Sequence, residues 1–324
     1  MQPATVTPAQ RADVIDRLAF ALEENFVFPE VGRRYAQMLR TKVAAGGYDG
    51  QTTPEAFAQA VTADLQALHS DRHLRLHPPR AESSGPGGQA PRRGPGAENA
   101  IRRAGWIADG VAYVDFAMFP GNPATLDALR TFLSAHSSAR VLIVDARSHR
   151  GGGLAEMDIL FPYLFDRETE LVRMDTRLAV DEAGGNPIPE GPTLRRIAGE
   201  DGVVRRAHFA LPAADATPLR RASVFVLTSS RTASAAEHFA LSLQRTGRAT
   251  LIGETTRGAG HYGSLVEVGS GYAAFVPVGR TFDPDTGRGW EAVGVTPDVA
   301  LPADQALDEA LRRAGVDPAQ RREL

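Results

Sequence analysis

The 324-residue chain contains no cysteine and only two tryptophans, and it has one lysine, Lys42, all its other basic side chains being arginine. Without cysteine there can be no disulfide, thiolate nucleophile, Cys-ligated zinc or iron–sulfur cluster. Long hydrophobic runs are missing too. The longest apolar stretches, such as Val141–Val144 and Val224–Leu227, fall far short of the roughly 20 residues that span a bilayer. No sign of charge dominates, since 36 basic residues face 39 acidic ones, so no global field attracts nucleic acid or an anionic membrane. The N-terminal MQPATVTPAQRADVIDRLAF has no basic segment leading into an apolar one. It reads as a cytoplasmic chain, or as a secreted or periplasmic one whose signal has been removed.

What is present is ordinary for a globular protein: 43% hydrophobic and 23% charged residues over a length that suggests about two domains at roughly 150 residues each. From Thr7 to Ala67 the apolar residues recur at helical spacing, in three segments broken at Phe28-Pro29 and Ala45-Gly46-Gly47. They predict a small bundle over residues 1–77 that ends in a strand beginning near Leu74. Residues 78–99 are dense in Pro, Gly, Ser and Arg and predict a flexible loop, a candidate lid. From 100 to 324 strands alternate with helices. Strands are expected at Gly110–Phe116, Val141–Asp145, Ser223–Leu227 and Ala249–Ile252, and helices at Ala124–Ala135, Leu154–Phe165, Ser234–Gln244 and Ala303–Ala314. That alternation implies parallel pairing and an α/β core. Residues 166–221, with several prolines and Gly184-Gly185, predict an irregular excursion with its own hairpin.

The chemistry concentrates in Ala222–Gly260, where a buried strand runs through a polar turn into a helix starting at Ser234. A hydroxyl there sits among unpaired helix N–H groups that can stabilise an oxyanion. Ser234-x-x-Glu237 also reads as a helix capping box, so a purely structural role competes with a nucleophilic one. His69, His77 and His149 lack acidic neighbours at metal-site spacing, and no Gly-x-x-x-x-Gly-Lys phosphate loop occurs, so neither metal nor cofactor is expected.

The block Thr232-Ala233-Ser234-Ala235-Ala236-Glu237, followed by Gly247-Arg248-Ala249 and Ile252-Gly253-Glu254-Thr255-Thr256, resembles the S41 serine peptidases. So does VLIVDARSHRGGG at 141–153, and the likeness runs in order through about 100–300. The resemblance implies a crotonase/ClpP-like α/β core of spiralled sheet and helices behind a helical bundle, with peptide or protein as substrate. Residues 78–99 are too few for the PDZ domain of the processing proteases. Those enzymes use a lysine 25 residues after the serine, and that position here is Ala259. The tricorn-like and retinoid-binding-like branch implies instead an early His and a late Glu. His73, in Asp71-Arg72-His73-Leu74, becomes the candidate general base, and Glu291, 57 positions after Ser234, its candidate partner. That branch carries a serine where Arg72 stands, so Ser70 or Asp71 would substitute, or the relay is shortened or weakened. The oxyanion donors implied are the N–H groups of Ala235 and Gly152 in the Gly151-Gly152-Gly153 turn. His261, Arg72 and Gly151 are expected at the substrate cleft, with His261 also an alternative base. The same likeness leaves two further readings open: a non-catalytic carrier of retinoids or other lipophiles, and another acyl hydrolase. Oligomeric state stays open, a homo-oligomer included.

Overall fold

Proline opens the helices of the N-terminal third. Pro8, Pro29 and Pro54 are the first residues of α1 (Pro8–Asn25), α2 (Pro29–Ala44) and α3 (Pro54–Leu68), where a missing N–H costs no helical bond. Thr7 and Thr53 cap α1 and α3 through their side-chain oxygens. The computed structural model describes residues 5–79, 99–215 and 217–324. The predicted loop at 78–99 therefore lies almost wholly outside the described residues. No helix among the described residues is long and apolar enough to cross a membrane.

Downstream come β1 (Arg75–His77), β2 (Ile101–Ala108), β3 (Val111–Phe116), α4 (Pro123–Ala135), β4 (Val141–Asp145), α5 (Ala155–Leu164), β5 (Thr169–Arg177) and α6 (Leu178–Glu182). They are followed by β6 (Leu194–Ile197), β7 (Val203–Ala210), β8 (Ser223–Thr228), α7 (Ala235–Arg245), β9 (Thr250–Gly253), β10 (His261–Glu267), β11 (Ala273–Phe282), β12 (Val299–Ala300) and α8 (Ala306–Arg313). The molecule is a mixed α/β protein, as the strand–helix alternation implies.

Two sheets form. The first runs β12-β9-β8-β4-β3-β2, parallel throughout except for the β2–β3 hairpin. Successive residues of its strands point to opposite faces. Ala112, Val114, Leu142, Val144, Val224 and Val226 pack with α4, α5 and α7 on one face, while Val111, Tyr113, Ile143, Phe225 and Leu227 meet α8 on the other.

The second sheet is antiparallel and was not legible as such: β1-β11-β5-β7-β6, with β10 on the free edge of β11. The excursion expected at 166–221 supplies β5, β6 and β7, and so contributes three strands of this sheet. The bundle does not stand apart from it. Leu18, Leu22, Phe26, Phe57 and Leu65 share one core with Val268, Tyr272, Ala274 and Val276 of the β10–β11 hairpin.

Candidate functional site

The central strand β8 ends at Thr228, and the turn after it is bolted down before the helix begins. Ser229 N–H donates to Thr232 Oγ1 at 2.9 Å, Thr232 Oγ1 donates to Ala146 O at 2.8 Å, and Arg257 N–H donates to Thr232 O at 2.9 Å. The chain then presents Ser234 immediately before α7, with φ 58° and ψ −120°. A non-glycine residue in that region stores about 1–3 kcal/mol of strain. The surroundings impose it. Ser234 N–H donates to Glu237 Oε2 at 2.7 Å, which is the carboxylate half of the expected capping box. The same buried carboxylate accepts from Thr256 Oγ1 at 2.6 Å and from the N–H groups of Gly258 and Ala259 at 2.6 and 2.8 Å. Burial pushes the Glu237 carboxyl above its ordinary range, against the pull of those donors. Glu237 thus fastens the start of α7 to the 256–259 turn, a role that a cap alone does not predict.

The triple-glycine turn arrives from β4. Phe119 N–H donates to Gly151 O and Gly153 N–H to Phe119 O, both at 2.8 Å. A side chain on Gly152 would place Cβ 1.9 Å from Phe119 O, and one on Gly151 would sit 2.7 Å from Ser234 Cβ. Only glycine permits this approach. Gly151 N–H is spent on Nδ1 of buried His149, at 3.0 Å. Burial, and then the nearby Arg102, lower His149 to about 3, so it stays neutral and holds the turn as an acceptor. Sequence reasoning missed this role, since a histidine between a strand and a glycine turn carries no distinguishing spacing.

Two N–H groups remain. Gly152 and Ala235 donate to no acceptor among the described residues. Both line, with Ser234, a pocket of about 40 Å³ whose walls include Leu154, Met174, Tyr262 and Trp290. Ala259, the position of the absent dyad lysine, and His261 line it as well.

The early and late candidates meet across the chain. Glu291 Oε1 accepts the backbone N–H of Arg72 at 2.6 Å, and its Oε2 accepts from Gly260 N–H at 2.6 Å and His261 N–H at 3.0 Å. Arg72 therefore contributes its peptide group, and its exposed residue needs no serine hydroxyl to reach Glu291. Burial, reinforced by the charge of Asp71, raises the Glu291 carboxyl. His73 stacks on Phe275 with ring centroids 5.2 Å apart, and its Nδ1 has no partner among the described residues. Burial lowers its pKa despite the attraction of Asp71, leaving a neutral imidazole at pH 7.

Asp71 was named at sequence level only as a stand-in for a serine, and it proves central. It is fully buried, its Oδ1 accepts from His73 N–H and Leu74 N–H at 2.9 and 3.0 Å, and its Oδ2 lies 2.7 Å from His261 Nδ1. Burial opposes its ionisation, but the hydrogen bond and charge of His261 and the two backbone donors outweigh that and lower its pKa. The His261 ring is flanked edge-on by Phe26 and Phe28 of the bundle, at 6.5 and 5.5 Å. Asp71, His73 and Glu291 each have an atom within 4.8 Å of the others, close enough for a shared cation. Every carboxylate oxygen of that set already accepts a hydrogen bond, which leaves a poor donor set for a metal.

A family model described as "Peptidase family S41" matches residues 110–301, and one described as "N-terminal domain of Peptidase_S41 in eukaryotic IRBP" matches residues 7–101. The chain is 32% identical over 133 residues to the chloroplastic carboxyl-terminal-processing peptidase 1 of Arabidopsis thaliana, covering 40% of this chain and 26% of that one. It spans about a quarter of the length of the curated relatives it matches. Among solved structures, a photosystem II D1 C-terminal processing protease shares the fold at TM-score 0.56 and 17% identity, over 97% of this chain and 99% of that one. The tricorn protease does so at 0.54 and 14%, over 96% of this chain and 36% of its own.

Proposed function

Because the chain belongs to peptidase family S41, we propose that it is a serine peptidase that cleaves peptide bonds with Ser234 as nucleophile and the N–H groups of Gly152 and Ala235 as the oxyanion hole. One observation carries this reading: two backbone donors without acceptors line the same pocket as a strained serine at the start of a helix. As Ser234 Oγ attacks the scissile carbonyl, its proton passes to an imidazole and the oxygen becomes an anion held by the two donors. Collapse of the tetrahedral intermediate returns the proton to the leaving amine, and water then releases the acyl group by the same steps.

His73 is the base in this proposal. It is neutral, its Nδ1 is unpaired, and Glu291 lies beside it to stabilise the imidazolium that forms. His261 has its own claim to the role, because it lines the Ser234 pocket and its Nδ1 is paired with buried Asp71 at 2.7 Å. The clefts seen favour the carrier reading less, since one of about 350 Å³ mixes Leu241, Trp290 and Val295 with Gln244, Asp283 and Arg288. The pocket beside Ser234 is about 40 Å³, and the clefts of about 710 and 640 Å³ are lined by arginines such as Arg102, Arg147, Arg140 and Arg220, whereas lipophile sites are large and apolar.

A fluorophosphonate probe should label Ser234 in the wild type and fail on Ser234→Ala, mapped by mass spectrometry. Loss of the true base should lower kcat by roughly 10²–10⁴, so His73→Ala should show that fall and His261→Ala a much smaller one. The reverse pattern transfers the role to His261. A well-folded wild type that neither labels nor hydrolyses peptides refutes the peptidase reading.

A further inference from the structure

Behind the Ser234 pocket lies a chain of three polar side chains that the proposed mechanism does not use. His208 Nε2 is 3.1 Å from Asp158 Oδ1, and His208 Nδ1 is 2.9 Å from Nε2 of His238, one turn beyond Ser234 on α7. Both histidines are sealed from solvent, at 0% and 3% exposure. A carboxylate only accepts, so a neutral His208 carries its proton on Nε2 and offers a lone pair at Nδ1. That lone pair takes the Nε2–H of His238, and Nδ1 of His238 is left as a fixed acceptor. Burial, with the proximity of His208, keeps His238 far below its ordinary pKa and therefore neutral. Among the described residues nothing donates to that Nδ1, and His238 lines the pocket. The indole N–H of Trp290, another wall of the pocket, is likewise unpaired. Of the other walls, Tyr262 has its hydroxyl engaged with Thr176 at 2.8 Å, and the side chains of Ser234, Thr281 and His261 add polar groups to the lining.

A fixed acceptor among the walls of a space of about 40 Å³ suits an occupant of a few heavy atoms that donates a hydrogen bond, with the indole N–H of Trp290 buried in the same lining. A hydroxyl does so. Resting on the peptidase reading above, we propose that this pocket holds the side chain of the residue whose carbonyl Ser234 attacks, and that His238 makes it select threonine or serine over valine or alanine. Asp158 and His208 are positioning residues that fix the proton arrangement of His238.

Two peptides that differ only in threonine or valine before the scissile bond compare a hydroxyl with a methyl at constant shape. Titrated calorimetrically into Ser234→Ala, the threonine peptide should bind at least about 10-fold more tightly. The same preference should appear in wild-type kcat/KM and shrink towards one in His238→Phe and His208→Phe. Equal binding of the two peptides by Ser234→Ala, binding of neither, or a preference unchanged in both histidine variants overturns the proposal. The Ser234→Ala comparison leaves the buried histidines in place, so it stands even if those variants misfold. Fluorophosphonate labelling and turnover report on the peptidase reading and the binding ratio on the pocket, so the two fail separately.

Discussion

At the scale of single residues, His149 carries the clearest consequence for pH. Its folded pKa of about 3 lies well below the 6.5 of an exposed imidazole. The unfolded chain therefore binds the extra proton first, and His149 contributes stability above pH 6.5 that is lost as pH falls towards 3. The shift corresponds to something on the order of 5 kcal/mol. His149→Asn keeps an acceptor for Gly151 N–H without a titrating group, so its Tm should fall less between pH 6.5 and 4 than that of the wild type. Parallel Tm profiles for the two would show that His149 does not titrate in this way. The strand, turn and helix start that present Ser234 are local patterns in the sequence, and the resemblance then pointed to Gly152 and Ala235. Glu291 was named as the partner of His73 through the family resemblance, but the contacts that hold the pair could not be read. Asp71 with His261, and Arg72 with Glu291, meet across 190 and 219 positions, which no spacing rule reaches.

At the scale of elements, the 150–153 turn is pinned to the backbone of Phe119, and the approach to α7 is tied to the chain before that turn by Ala233 N–H donating to His149 O at 3.1 Å. Gly152 shows how tightly, since an added methyl would overlap Phe119 O. Gly152→Ala should destabilise the protein by more than the roughly 1–3 kcal/mol typical of overpacking, with labelling of Ser234 lost, whereas Gly153→Ala, with open space at Cβ, should retain both. Equal tolerance of the two substitutions in denaturant titration would contradict this packing. The elements around this turn were legible because β4 and β8 are short buried runs and their helices are amphipathic. β11 was not, because Pro277 and Gly279 interrupt it. Proline within a run argues against a strand, yet here it sits opposite the irregular Tyr262/Gly263 step of β10. β2 was hidden for another reason: its first residues are exposed and include Arg102 and Arg103, which pair with buried Asp115.

At the scale of the molecule, the bundle and the β10–β11 hairpin are one hydrophobic unit, although sequence periodicity divides the chain near residue 77. Phe57 is fully buried and packs edge-on against Tyr272, with ring centroids 5.6 Å apart. Phe57→Ala should cost about 3–5 kcal/mol and lower the midpoint of a single calorimetric transition. Two separate transitions would mean that the bundle unfolds independently of the sheet. The bundle also delivers Asp71 and His73, so in Phe57→Ala the loss of Ser234 labelling on heating should coincide with that one transition.

The 219-position span between Arg72 and Glu291 also bears on the order in which the molecule is made. During synthesis the bundle and Asp71 emerge first, the serine turn much later, and the Glu291 loop later still. Contacts of such high sequence separation form late in folding. A nascent chain carrying Ser234 but not yet Glu291 lacks the clamp that joins residue 72 to residues 260 and 261, and any chain terminated early is left in that state. That clamp therefore closes only after residue 291 has been translated, well after the serine turn.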